Sequence, residues 1–350
     1  MNIKYRNSAN NIYITICMIF VILLICFPAI GIKGVKSGLY ICYNSIIPSL
    51  FPFMLICGCL SSLIVFKSSG KSRFAPVAVA VLFGLVGGFP VGAAMLVRLA
   101  ENGFISKKRA ALLLCGCVNA GPAFIISSVG IACFDNALVG ALMLISLLFA
   151  SVVCILFSLV FFRGGDTRTI ALPNAAIRFS FNDAVCQAVR STSTLCAYVV
   201  FFACVNAFLQ QLLLLLNASD VVQWALCSFL EVTAGCVKAS TIAGSAGALL
   251  ACAGISLCSV SIIMQIKSIC TGTGISLKYL ILSRPVHCAL SVIMLSLLLG
   301  RYERSMQVFA VIGSTAASLF CVSPLFSLML FFLCFTALVG ERKNLGFTKG

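Results

Sequence analysis

Residues 87–99 read GGFPVGAAMLVRL. Three glycines and a proline thus fall inside a segment, 74–97, that is otherwise apolar, and an arginine follows it directly. A helix in lipid satisfies its backbone hydrogen bonds internally, and each peptide group freed by unwinding costs several kcal/mol. A break persists only where protein buries it or a wet cavity receives it. Two readings follow. Either the segment is a hairpin whose tip faces a solute, or it is a Gly/Pro kink for close helix packing. In the first, Gly87, Gly88 and Gly92 permit positive φ and Pro90 removes a donor.

Composition explains why lipid is the right solvent to consider. The chain has 350 residues, 61% hydrophobic and 9% charged, with mean hydropathy +1.15. A soluble surface needs roughly a quarter of its residues charged. Apolar runs fall at 12–32, 46–66, 74–97, 110–132, 136–162, 193–216, 221–243, 247–266, 285–300 and 308–340. Most approach the ~20 residues of a spanning helix. The alternating segments of a β-barrel are absent. The expected fold class is therefore an all-α polytopic membrane protein. Lys4 and Arg6 precede the first run. Its length, with no small-residue cleavage site after it, reads as an uncleaved helix rather than a signal peptide.

Net charge is +16, from 24 Lys and Arg against 8 Asp and Glu. The basic residues lie in short loops, which makes them topogenic. No long basic stretch with interleaved aromatics is present, so nucleic acid is not an expected partner. Of 20 cysteines, most sit inside apolar runs and act as small hydrophobes. The C-x-C pairs Cys57/Cys59 and Cys115/Cys117 have no neighbouring histidine. No metal or cofactor is expected.

Loop charge tests the topology. Loops 67–73, 98–109, 163–192 and 267–284 are basic, whereas 133–136 and 217–220 hold only Asp135 and Asp220. If every run crossed, 67–73 and 98–109 would face opposite compartments despite their shared charge. A re-entrant hairpin over 74–97 puts both in the cytoplasm, along with the N-terminus. A second hairpin over 221–243 resolves the same conflict in the second half. Lys33, Lys36, Arg301 and Arg304 then fall outside, where they suit segments on the membrane surface.

The expected plan has an N-terminal helix (1–32), a first repeat (33–162), a basic cytoplasmic linker (163–192), a second repeat (193–300) and a C-terminal helix with a basic tail (301–350). One hairpin enters from each side, so the plan is an inverted repeat. FGLVGGFPVG (83–92) over FLEVTAGCVK (229–238) carries a faint internal echo.

Other interruptions supply candidate site residues. NAGP (119–122) places Asn119 beside Gly121 and Pro122, which unwind the helix; Asn119 instead bonding a neighbouring helix is the plain alternative. EVTAG (231–235) holds Glu231, the only acid well inside an apolar run, with Thr233 and Gly235 shaping a second tip. Glu231 either works on a solute, proton or cation, or pairs with Arg284 or Lys238. Ser261 and Gln265 share a helix face. Arg284 and His287, the sole histidine, lie one turn apart at the start of the next helix. Arg284 either holds an anion or snorkels to the interface.

In order, PSLFPF (48–53), G-x-P-x-G (88–92), ENGFISKKRA (101–110), N-A-G-P-x-F (119–124), E-x-T-x-G (231–235) and S-I-x-x-Q (261–265) resemble the YlbJ family, also called SpoVV, the sporulation integral membrane proteins. The likeness covers about residues 10–340 and is strongest over 46–130. It implies a nucleoside-recognition or "gate" domain and a fold similar to concentrative nucleoside transporters. It further implies movement of dipicolinate across the outer forespore membrane. The implied binding set is Gly88, Pro90, Gly92, Asn119, Gly121, Pro122, Glu231, Thr233, Gly235, Ser261, Gln265 and Arg284. Val118 and Ala234 stand where the family pattern has asparagine.

The expected function is a permease for a small planar anion, dipicolinate-like or nucleoside-like, in the cell or outer forespore membrane. The alternative is a non-transporting platform for spore assembly. Expected partners are the solute, the bilayer, a coupling proton or cation, and a second copy of the chain. Neither G-x-x-x-x-G-K-[ST], G-x-S-G nor H-E-x-x-H occurs, so neither ATP-driven nor hydrolytic chemistry is expected.

Overall fold

The computed structural model describes residues 2–48, 51–52, 54–56, 59, 74–122, 124–161 and 181–309. Those residues are helical, with no strand among them. Most of the run at 46–66, loop 67–73 and the C-terminal helix and tail beyond 309 lie outside the described residues. So does 162–180; the expected linker ends earlier than 192, because its last part is already helical.

Helix α1 (Asn2–Cys26) stops where Phe27 leaves helical geometry, and α2 (Pro28–Ile41) begins with Pro28. The first helix therefore does not run straight to residue 32: the chain bends by 103° between the two arms. Pro28 is tolerated because the first N–H of a helix has no internal partner. A glycine face of α2 (Gly31, Gly34 and Gly38) packs on α8 (Phe181–Leu215). Lys33 and Lys36 point away from that contact and are exposed.

Next come two short helices, α3 (Phe74–Gly87) and α4 (Phe89–Glu101), separated by Gly88. They fold back on each other. A Cβ built on Gly92 would lie 2.7 Å from the Cα of Gly84, although eight residues span about 12 Å of straight helix. Helix α5 (Lys107–Cys117) follows, its Ser106 hydroxyl accepting from the Arg109 N–H at 3.2 Å. The chain unwinds over 118–121 and resumes as α6 (Phe124–Phe134), most of it wound as a π-helix. Asp135 then turns in the left-handed region, and Asn136 caps α7 (Ala137–Phe161) by accepting from the N–H groups of Leu138 and Val139.

After α8 the same order returns. Helices α9 (Asp220–Leu230) and α10 (Val232–Ser240) reverse at Glu231. A Cβ on Gly235 would lie 2.7 Å from the Cα of Ser228, seven residues away and about 10 Å distant in a straight helix. Helices α11 (Ser245–Leu257) and α12 (Val260–Cys270) form a second broken helix. Long α13 (Lys278–Phe309) closes the set and carries Arg301 within it. Hairpin, broken helix and long helix thus occur twice.

By length and apolarity α7, α8, the α11–α12 pair and α13 can cross a membrane, and the bent α1–α2 pair makes a fifth candidate. The protein is a multi-pass membrane protein. The core between them is apolar and includes Leu96, Leu113, Ile125, Met143, Ile255 and Ile266. The two broken helices run in opposite directions. The start of α5 (Lys107) sits against Gly274, beyond the end of α12, and the end of α6 (Phe134) against Gly247, at the start of α11.

Candidate functional site

The first hairpin reverses on one residue. Gly88 has φ 88° and ψ 177°, a region open essentially to glycine. Pro90 does not make the turn; it sits in the first turn of α4, where the absent N–H leaves nothing unpaired. Gly92 is a packing glycine. Its missing Cβ would lie 2.0 Å from the carbonyl oxygen of Cys117, the last residue of α5. Gly121 in the break abuts the tip: a Cβ there would be 3.3 Å from the Gly88 Cα. Arg98, the charge in the opening stretch, donates to the Gln187 side chain of α8.

The break leaves the last carbonyls of α5 without helical partners. Arg284 supplies them. It is buried, at 4% exposure. Its guanidinium donates to the Val118 carbonyl at 3.2 Å and to the Cys115 carbonyl. It also contacts the Cys258 sulfur at 3.6 Å. Cys258 ends α11 with φ 60° and ψ 118°, a strained backbone for a residue with a side chain. A single cation therefore joins both helix breaks. A positive side chain at helix C-termini is favoured by the partial negative charge there.

This differs from a snorkelling arginine at a helix start. Helix α13 begins at Lys278, which places Arg284 nearly two turns inside it. Its Nε is buried with no acceptor among the described residues, as is Nδ2 of Asn119 one residue beyond Val118. Asn119 Oδ1 accepts from the Ala120 N–H at 3.0 Å. His287, one turn on from Arg284, is fully buried and hydrogen-bonds Ser151 of α7 at 3.0 Å through Nε2.

The second tip is built otherwise. Glu231 is extended (φ −148°, ψ 129°), and its carboxylate accepts from the Ala234 N–H at 2.8 Å. It is the N-cap of α10, satisfying one of the amides that a helix start leaves unpaired. It makes no ion pair with Arg284 or Lys238. Thr233 is half-buried beside it, and Gly235 packs on Ser228. Ser261 and Gln265 are buried on α12, with Gln265 Nε2 donating to Ser261 Oγ at 3.1 Å. Helix α12 packs against α4, the second arm of the first hairpin.

The structure thus gathers Gly88, Gly92, Asn119, Gly121 and Arg284 around the first break. Half-buried Pro122 leads from it into α6. Glu231, Thr233 and Gly235 form the second tip, and Ser261 with Gln265 a polar pair on α12. Sequence reasoning missed Cys115, Val118 and Cys258, whose contribution is a carbonyl or a bent backbone. One signal for the second break was present: Ser259 before an apolar run reads as an N-cap, and its hydroxyl accepts from the Ile262 N–H at 3.4 Å. The internal echo also shifts. The tips pair Gly88 with Glu231 and hence Gly92 with Gly235, three residues away from the pairing the sequence suggested. Among the described residues no group of His, Cys, Asp and Glu is placed to hold a metal ion. No family model, curated protein or solved structure matches this chain.

Proposed function

We propose that this protein is an inverted-repeat permease for a small planar anion of dipicolinate type, acting at a spore-forming cell's outer forespore membrane. The observation that carries the reading is the pair of unsatisfied buried donors, Arg284 Nε and Asn119 Nδ2, where the two helix breaks meet. A buried donor without an acceptor costs about 1–3 kcal/mol, more when charged. A carboxylate entering the break would recover that cost. The antiparallel broken helices supply the two half-sites an alternating-access carrier needs. The resemblance to the YlbJ proteins supports the solute class and the setting. Glu231 is the acid placed to carry a coupling proton or cation.

The test is uptake of labelled dipicolinate into proteoliposomes. Saturable uptake is expected, falling at least about tenfold in Asn119→Asp. That change keeps the oxygen facing Ala120, removes the donor and repels an anion. A second reading, a platform for spore assembly, is favoured by the guanidinium–carbonyl bonds that hold the breaks together without a solute. A platform gives no flux in the unaltered protein, which would overturn the permease.

A further inference from the structure

We propose that the crossing of α5 and α13 is a binding site for a phosphate-bearing anion, filled in the membrane by the headgroup of an anionic phospholipid. A cavity of about 400 Å³ opens there, lined by Lys107 and Lys108 from α5, by Ser276 from the loop before α13, and by Lys278, Tyr279 and Leu282 from the start of α13. The three lysines come from positions about 170 residues apart in the chain and share one cavity. No carboxylate lines it, and none of the three forms an ion pair among the described residues. Three ammonium groups around one cavity repel when it is empty, and a phosphate relieves that repulsion.

The loop opposite is shaped to leave room. Gly274, at φ 75°, lies where a Cβ would come within 3.2 Å of the Lys107 ammonium. Thr273 accepts from the Ile275 N–H, and Ser276 from the Lys278 N–H, so the loop's own polar groups hold its course.

What distinguishes a lipid from a free phosphate is the wall. Leu282, on the cavity's edge, is 73% exposed, and Ile281 and Val286 continue an exposed apolar strip up α13. A headgroup on the lysines leaves its acyl chain along that strip. Basic pockets between membrane helices hold anionic lipid headgroups in this way. The proposal stands apart from the permease reading, since it concerns neither break and predicts nothing about flux.

The experiment is native mass spectrometry of the full chain released from detergent, offered equal phosphatidylglycerol and phosphatidylcholine. A preference of at least about tenfold for phosphatidylglycerol is expected. The triple variant Lys107→Gln, Lys108→Gln, Lys278→Gln should lose it, the Lys→Arg triple should keep it, and Lys33→Gln with Lys36→Gln should leave it unchanged. Competition by millimolar inorganic phosphate that matches glycerol phosphate would keep the site and assign it a free phosphate. No preference in the unaltered protein, or one that survives the Gln triple in a folded sample, overturns the proposal.

Discussion

The two hairpins make the same reversal by different chemistry. At Gly88 the chain turns through a backbone conformation reserved for glycine, and the arms are pressed so close to α5 that no Cβ fits. At Glu231 the backbone is ordinary, and the turn is fixed by a carboxylate capping the arm that follows. Both hairpins press their arms together at a glycine, Gly92 or Gly235, but only the second adds a side chain that fixes its turn. Sterics alone specify the first, whereas the second adds a polar bond to its close packing, so the second is where protonation can act on the fold.

That contrast is breakable. The largest effect is expected at the packing glycines. In Gly92→Ala the new methyl meets the Cys117 carbonyl at 2.0 Å, and neither partner is a side chain able to swing away. Monodisperse protein by size-exclusion chromatography in detergent should be almost lost, with no single compensating change restoring it. In Gly235→Ala the nearest obstacle is the Ser228 hydroxyl, at 2.1 Å. Adding Ser228→Gly removes that hydroxyl but leaves the Ser228 Cα at 2.7 Å, so it should recover only part of the yield. Equal rescue of both variants would dissolve the distinction.

A middle effect belongs to the turn itself. Gly88→Ala forces a side chain into a region that costs about 1–3 kcal/mol, so a clear fall in detergent melting temperature is expected. Glu231→Gly asks for no forbidden angle and loses only the cap. The smallest stability effect is at that cap. Glu231→Ala should lose about 1 kcal/mol, the usual cost of removing an N-cap. Glu231→Gln retains an oxygen for the Ala234 N–H and should stay near the unaltered melting temperature. Under the permease reading the same Gln variant removes the coupling acid, so any dependence of dipicolinate uptake on pH should flatten. Uptake with unchanged pH dependence would leave Glu231 as a cap alone.

Much of the architecture was legible because it follows from hydropathy and punctuation. Gly88 and Pro90 marked the first reversal, and the short acidic loops at Asp135 and Asp220 marked helix ends. What escaped was geometry written in the backbone. Nothing about Cys115 or Val118 as residue types announces that their carbonyls take a guanidinium, and Cys258 bends where glycine would be expected. Arg284 was visible as a charge at the start of a helix, the last residue of a basic loop. Its partners were not, because they lie 166 and 169 positions earlier in the chain. Glu231 was read for its charge, while its bond to Ala234 depends on a helix beginning at the next residue.

The guanidinium clamp has a consequence for how the protein is made. Translation at about 5–20 residues per second separates Val118 from Arg284 by roughly 10–30 s. Throughout that interval the carbonyls that end α5 have no mate from the rest of the chain. The nascent first half must wait in the membrane with a polar wound, held by the insertion machinery or by water. Only the arrival of α13 closes it, so maturation of the earlier half is timed by synthesis of the later one.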